Sequence, residues 1–170
     1  RQDSKLPESR ARLFGLDIVA ALQYMHCKGF LYCDLKPSNV LINEYGVLKL
    51  CDLGLARPIP EDRNTLAQQG SHSKRGTPYY MAPEVFHRDG IHSFASDLWA
   101  LGCVLYELFT GKPPFYAKNL QELVNRILYN PPPVLTEASA EFNDLLQRLL
   151  VKDPLERITW PELRCHPFWG

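Results

Sequence analysis

The chain has 170 residues, with 19 Lys and Arg against 19 Asp and Glu, so its formal charge is zero with histidine neutral. That balance offers no global field for nucleic acid or an anionic membrane, and neither is expected as a partner. An apolar content of 45 %, with ten glycines and fourteen prolines, is that of a folded domain or part of one; disordered low-complexity chains carry roughly 25–30 % Gly and Pro.

Arg1 to Lys5 has no apolar run behind it, so no signal peptide is expected. Pro7 and Glu8 then make a helix start, because Pro suits the first turn and an acid suits the positive end of the helix dipole. Leu13, Leu16, Ala20, Met25 and their neighbours carry an apolar stripe to about His26, and Gly29 stops it. Phe30-Leu31-Tyr32 reads as a short strand. Val40-Leu41-Ile42 and Val47-Leu48-Lys49-Leu50 read as two more, joined by the turn residues Asn43 to Gly46 as a hairpin.

Residues 52–84 break the pattern with four prolines, three glycines and a polar centre; long loops of this kind are usually functional. Thr65, Ser71, Ser73, Thr77 and Tyr79 are hydroxyl phosphoacceptors within it. Asp97 to Phe109 is apolar on nearly every face and predicts a buried helix. Its Leu98–Phe109 run, interrupted by Glu107, is far short of the ~20 apolar residues that span a bilayer, so no membrane insertion is expected. Asn119 with Glu122 predicts a capped helix to about Leu128, and Pro131-Pro132-Pro133 an extended link. Phe142, Leu145, Leu146, Leu149 and Leu150 mark a helix over 139–151, and Thr159-Trp160-Pro161-Glu162 is a capping box opening a last short helix. The sheet signal is confined to residues 30–51. Five cysteines, odd in number and without C-x-x-C spacing, suggest neither a disulfide framework nor a zinc site. A reducing, cytoplasmic location is the expectation.

Chemistry concentrates in Tyr32-Cys33-Asp34-Leu35-Lys36-Pro37-Ser38-Asn39, directly after a strand. Phosphoryl transfer needs an acceptor for a hydroxyl proton, a cation beside the moving phosphate and an oxygen ligand for Mg²⁺. Asp34, Lys36 and Asn39 supply one of each, although a solvated turn contains the same residue types. Thirteen residues after Asn39, Asp52-Leu53-Gly54 ends the second hairpin strand, and its carboxylate is a second candidate ligand; an ordinary Asp-x-Gly turn reads the same way. Gly76-Thr77-Pro78-Tyr79-Tyr80-Met81-Ala82-Pro83-Glu84 follows.

In this order and spacing the motifs resemble those of the eukaryotic protein kinases, whose signatures are H-R-D-L-x-x-x-N, D-F-G and A-P-E. Asp97-Leu98-Trp99-Ala100-Leu101-Gly102, Gly111-Lys112-Pro113-Pro114-Phe115 and Asp153-Pro154-Leu155-Glu156-Arg157 extend the resemblance over the whole chain. Within the family, residues 32–39 and 96–107 look most like the Unc-51-like and Fused-like branch. The resemblance implies an α+β, mainly helical fold: the large C-terminal lobe of a kinase domain over residues 1–170, with a short β-hairpin and a buried central helix. The catalytic loop would be 32–39 and the activation segment 52–84. The small N-terminal lobe, with its Gly-rich loop and lysine, is expected to be absent from this stretch.

The resemblance also implies roles. Asp34, Lys36 and Thr77 are the expected catalytic residues, as base, γ-phosphate contact and a hydrogen-bond partner of both. Lys36 points to Ser/Thr rather than tyrosine kinases. Asn39, Leu41 and Asp52 are the expected cofactor-binding residues, with Asn39 and Asp52 as the Mg²⁺ ligands. Glu84 and Arg157 would form a buried ion pair, and Asp97 would hold the catalytic-loop backbone. ATP, Mg²⁺ and a protein substrate are the implied ligands, with regulatory protein partners besides. Tyr32 and Cys33 stand where the family has His and Arg, and Leu53 where it has Phe. Without that Arg, activation-loop phosphorylation is expected to matter little. The same departures motivate a rival reading, a pseudokinase or kinase-like scaffold. Finally, the face around Tyr24, Ile42 and Leu53 is expected to be apolar and exposed.

Overall fold

The computed structural model describes residues 5–59, 78–87 and 90–170. Helix α1 (Glu8–Cys27) follows Pro7, and Gly29, at φ +80°, turns the chain out of it. Strand β1 (Phe30–Leu31) comes next, then a 3₁₀ turn at Pro37–Asn39 and the antiparallel pair β2 (Val40–Ile42) and β3 (Leu48–Leu50). The Asn43 carboxamide oxygen accepts from the amides of Tyr45 and Val47, which closes the hairpin turn. Strand β4 (Arg57–Pro58) pairs antiparallel with β1, so sheet structure extends beyond residue 51. A proline at the end of a two-residue strand hides it from any alternation pattern.

The C-terminal half is helical: α2 (Phe94–Thr110), α3 (Leu120–Tyr129), α4 (Ala140–Leu149) and α5 (Trp160–Arg164). Helix α2 begins three residues earlier than its apolar run, because Ser93 and Ser96 form a capping box. Gly111, at φ +81°, ends it. Asn119 and Ser139 cap α3 and α4 by accepting from the amides three residues on. Glu162 reaches back to the Thr159 amide and hydroxyl at the start of α5. No helix among the described residues is long and apolar enough to cross a membrane.

Helix α2 is the hub. Leu98, Leu101, Val104 and Leu105 pack with Ile18 and Leu22 of α1, Phe142, Leu145 and Leu149 of α4, and Phe168. On its other side Trp99 and Cys103 pack with Phe115, Leu123 and Ile127. A side chain of this kind contributes about 1.5–3 kcal/mol on full burial. The stripe expected on α4 is fully buried. The one expected on α1 is not: Leu13, Leu16 and Ala20 are exposed, and the helix buries Ala11, Gly15, Ile18, Val19, Leu22 and His26 instead. Apolar residues lie on more than one side of α1, so periodicity alone does not choose its inner face. Gly15 does, since a Cβ there would lie 2.8 Å from Leu105 Cδ2.

Candidate active site

The loop after β1 is pinned by what it buries. Tyr32 is wholly buried and Leu35 nearly so, while Asp34 and Lys36 between and beyond them stay partly exposed. Asp34 is held from two sides. Lys36 Nζ lies 3.4 Å from its Oδ1, and Asn39 Nδ2 donates to its Oδ2 and to its backbone oxygen, both at 2.9 Å. Asn39 is buried, and with its side-chain N–H groups committed to Asp34 its side-chain oxygen, Oδ1, has no hydrogen bond among the described residues.

Asp52 is tied to this loop by the hairpin. The Cys51 amide donates to the Asn39 carbonyl at 2.9 Å, continuing the β2–β3 register by one residue. The Tyr32 hydroxyl donates to the Cys51 carbonyl. Burial, then the charges of neighbouring groups that include Asp34 and Asp52, push that phenol above its ordinary range, so it stays a donor. Asp52 itself is exposed and accepts from the Gly54 amide at 3.1 Å. Lys36 and Asn39 are therefore in direct contact with Asp34, and Asp52 is tied to Asn39 through the backbone. Leu41 lies on β2, 56 % exposed. Thr77, with Thr65, Ser71 and Ser73, lies outside the described residues.

Among the described residues, Cys33 (φ +66°) and Asp52 (φ +59°) are the non-glycine residues with left-handed backbone, and Cys33 directly precedes Asp34. Such conformations cost of order 1–3 kcal/mol and persist only where the surroundings enforce them. At Cys33 the enforcer is Asp97, 2 % exposed at the start of α2. Its Oδ1 accepts from the Cys33 amide and its Oδ2 from the Tyr32 amide, each at 2.8 Å. Glu84 and Arg157 form the expected pair, and Arg157 donates further to the carbonyls of Ala95, Val151 and Lys152. A cavity of about 20 Å³ separates Cys33 and Asp34 from Tyr80, Ala82 and His92, room for one water molecule.

Two attachments have no signature in the sequence. Tyr80 donates to Glu107 Oε2 at 2.6 Å and ties the stretch before Ala82-Pro83-Glu84 to α2. His26 donates to Asp97 Oδ2 at 2.8 Å and accepts from the Trp160 indole at 2.9 Å. These partners are 27 to 134 residues apart, beyond the reach of any local motif.

Two oxygens, Asn39 Oδ1 and the Asp52 carboxylate, suit a hard cation. Mg²⁺ typically takes one or two carboxylates from the protein and completes its shell with water and substrate phosphate. The described residues contain no cluster of three or more His, Cys, Asp or Glu that could hold a metal, so a self-sufficient metal cage is not what they form.

The chain matches the protein kinase domain family over residues 1–169 and belongs to it. It is 54 % identical over 170 residues to serine/threonine-protein kinase RUNKEL of Arabidopsis thaliana, covering 99 % of this chain and 12 % of that protein. It is 42 % identical over 161 residues to serine/threonine-protein kinase fused of Drosophila melanogaster, covering 95 % and 19 %. Against serine/threonine-protein kinase ULK4 of Mus musculus it is 38 % identical over 193 residues, covering 99 % and 15 %. The likeness to the Unc-51-like and Fused-like branch is borne out. The chain spans less than a fifth of the length of these curated relatives.

Proposed function

We propose that this chain is the large C-terminal lobe of a serine/threonine protein kinase domain, and that the complete protein moves the γ-phosphoryl group of ATP to a Ser or Thr of a protein. The observation that carries this reading is the clamp on Asp34. Lys36 contacts one oxygen of its carboxylate and Asn39 donates to the other, while the backbone of Asn39 ties in the segment that carries Asp52. Asp34 orients that hydroxyl and accepts its proton. Lys36 neutralises charge on the moving phosphoryl. Asn39 and Asp52 hold Mg²⁺, which supplies charge neutralisation on the ATP phosphates. Catalysis of this kind is positioning plus electrostatics, with little covalent work for the protein.

Leu41, Ile42, Leu53 and Tyr24 are 56–66 % exposed, as expected of a surface that a small lobe covers. Leu41 would form part of the nucleotide floor there, and the isolated lobe would turn over poorly. The thiols of Cys27, Cys33, Cys51, Cys103 and Cys165 are all free, which fits a reducing, cytoplasmic setting. The test is γ-phosphate transfer to protein by the full-length chain, beside an Asp34→Asn variant. Loss of transfer in the variant is expected. Equal incorporation by both, or none by either, would favour the scaffold reading.

A further inference from the structure

His26 makes one hydrogen bond at each ring nitrogen, and the two bonds together leave a single tautomer. The Trp160 indole N–H can only donate, so His26 Nδ1 must present its lone pair. The proton of the neutral ring is then on Nε2, where it is given to Asp97 Oδ2 at 2.8 Å. The opposite tautomer would set two donors against each other at Trp160 and two acceptors against each other at Asp97. Phe94 packs on the ring with centroids 4.4 Å apart, and His26 is buried, so the ring has no water to turn towards.

Asp97 is a buried carboxylate whose three donors are His26 and the amides of Tyr32 and Cys33. A buried charge keeps its place only while its donors are supplied. Those same bonds hold Cys33 in its left-handed backbone, and Asp34 is the next residue. A contact on α5 is thus linked through α1 and α2 to the position of the Asp34 carboxylate.

We propose that Trp160 is a remote positioning residue: its indole N–H holds the His26 ring in the orientation from which Nε2 donates to Asp97, and so keeps Asp97 on the catalytic-loop backbone. Trp160→Phe keeps the packing ring and removes the donor. His26 Nδ1 then loses the bond that holds the ring in its plane, the ring turns between Phe94 and α5, the Nε2–H bond to Asp97 lengthens, and the Asp97 grip on the Tyr32 and Cys33 amides weakens. The inference rests on the kinase reading only for its turnover measurement.

The test uses full-length protein with Trp160→Phe, His26→Gln and the double variant. Trp160→Phe is expected to lower kcat about tenfold, the scale of a small misplacement of a reacting group, with KM for ATP unchanged. Amide exchange followed by mass spectrometry should quicken over residues 31–36 in both single variants, and in His26→Gln the second substitution should add nothing. A merely structural tryptophan would lower the melting temperature and loosen residues 157–170 while sparing kcat and loop exchange; that result overturns the proposal. So does full additivity in the double variant. If Trp160→Phe does not fold, unchanged loop exchange in His26→Gln overturns it equally. If the wild type transfers no phosphate, the kinase reading fails on its own, and loop exchange still decides the role of Trp160.

Discussion

Arg157 closes on Glu84 with both terminal nitrogens of its guanidinium, at 2.8 and 2.9 Å. The Arg157 side chain is fully buried, and its remaining donors are spent on the carbonyls of Ala95, Val151 and Lys152. Removing the carboxylate leaves a buried cation with three carbonyl bonds and no counter-charge. Glu84→Ala is therefore expected to destabilise the domain by about 3–5 kcal/mol. A urea unfolding midpoint within error of wild type would contradict this.

Tyr32 stands where the family has histidine, and the structure explains how it serves. Its hydroxyl donates to the carbonyl of Cys51, one residue before Asp52. Tyr32→Phe keeps the buried ring and strands that carbonyl, at a cost of about 1–2 kcal/mol. Turnover of the full-length protein should fall with KM for the protein substrate preserved, because the change reaches Asp52 rather than the substrate. Chemical denaturation and steady-state kinetics on the one variant check both parts.

Cys33 replaces an arginine, and its thiol is not a reactive substitute. Burial, with Asp97 adding to it, pushes the group up to about 12. At pH 8 only on the order of one molecule in 10⁴ carries the thiolate, the species that alkylating reagents attack. Cys27 and Cys165 are exposed. Timed iodoacetamide labelling with mass spectrometry should modify those two first, and Cys33 late, alongside the buried Cys103. Early labelling of Cys33 would show that the catalytic loop opens.

His92 lines the small cavity beside Cys33 and Asp34 and lies within reach of the Ser96 hydroxyl. Burial holds its pKa below the ordinary value, with the Arg57 guanidinium adding to the effect against the opposing charges of Asp97, Glu84 and Asp34. The unfolded chain therefore binds this proton more readily than the folded one. Stability from His92 is complete above about pH 6.5 and is lost as pH falls through the depressed folded value. His92→Gln should flatten the decline of melting temperature with acid below that point. An unchanged slope would assign the acid sensitivity elsewhere.

Much of this was legible in the order of the residues because helix starts, caps and hairpin turns are local events. Pro7 and Glu8, the Asn43–Gly46 turn, Asn119, Ser139 and Thr159-Glu162 each act within four or five residues of themselves. The motif residues Asp34, Lys36 and Asn39 also lie within one short loop, so their meeting needed no long-range information. The inner face of α1 is not legible in its periodicity, because apolar residues border it on more than one side. Strand β4 has no local signal because its partners on β1 lie 26 and 28 residues back.

By itself, then, the chain determined its elements, its motif order and its place among the protein kinases, since these depend on spacing along the backbone. Only the packed structure decided that Tyr32 would hold the approach to Asp52 and that Trp160 would set the ring of His26. Those bonds join residues 19 and 134 positions apart. They form only after the apolar faces of α1, α2 and α4 have closed, because that closure removes the water that would otherwise satisfy the same polar groups.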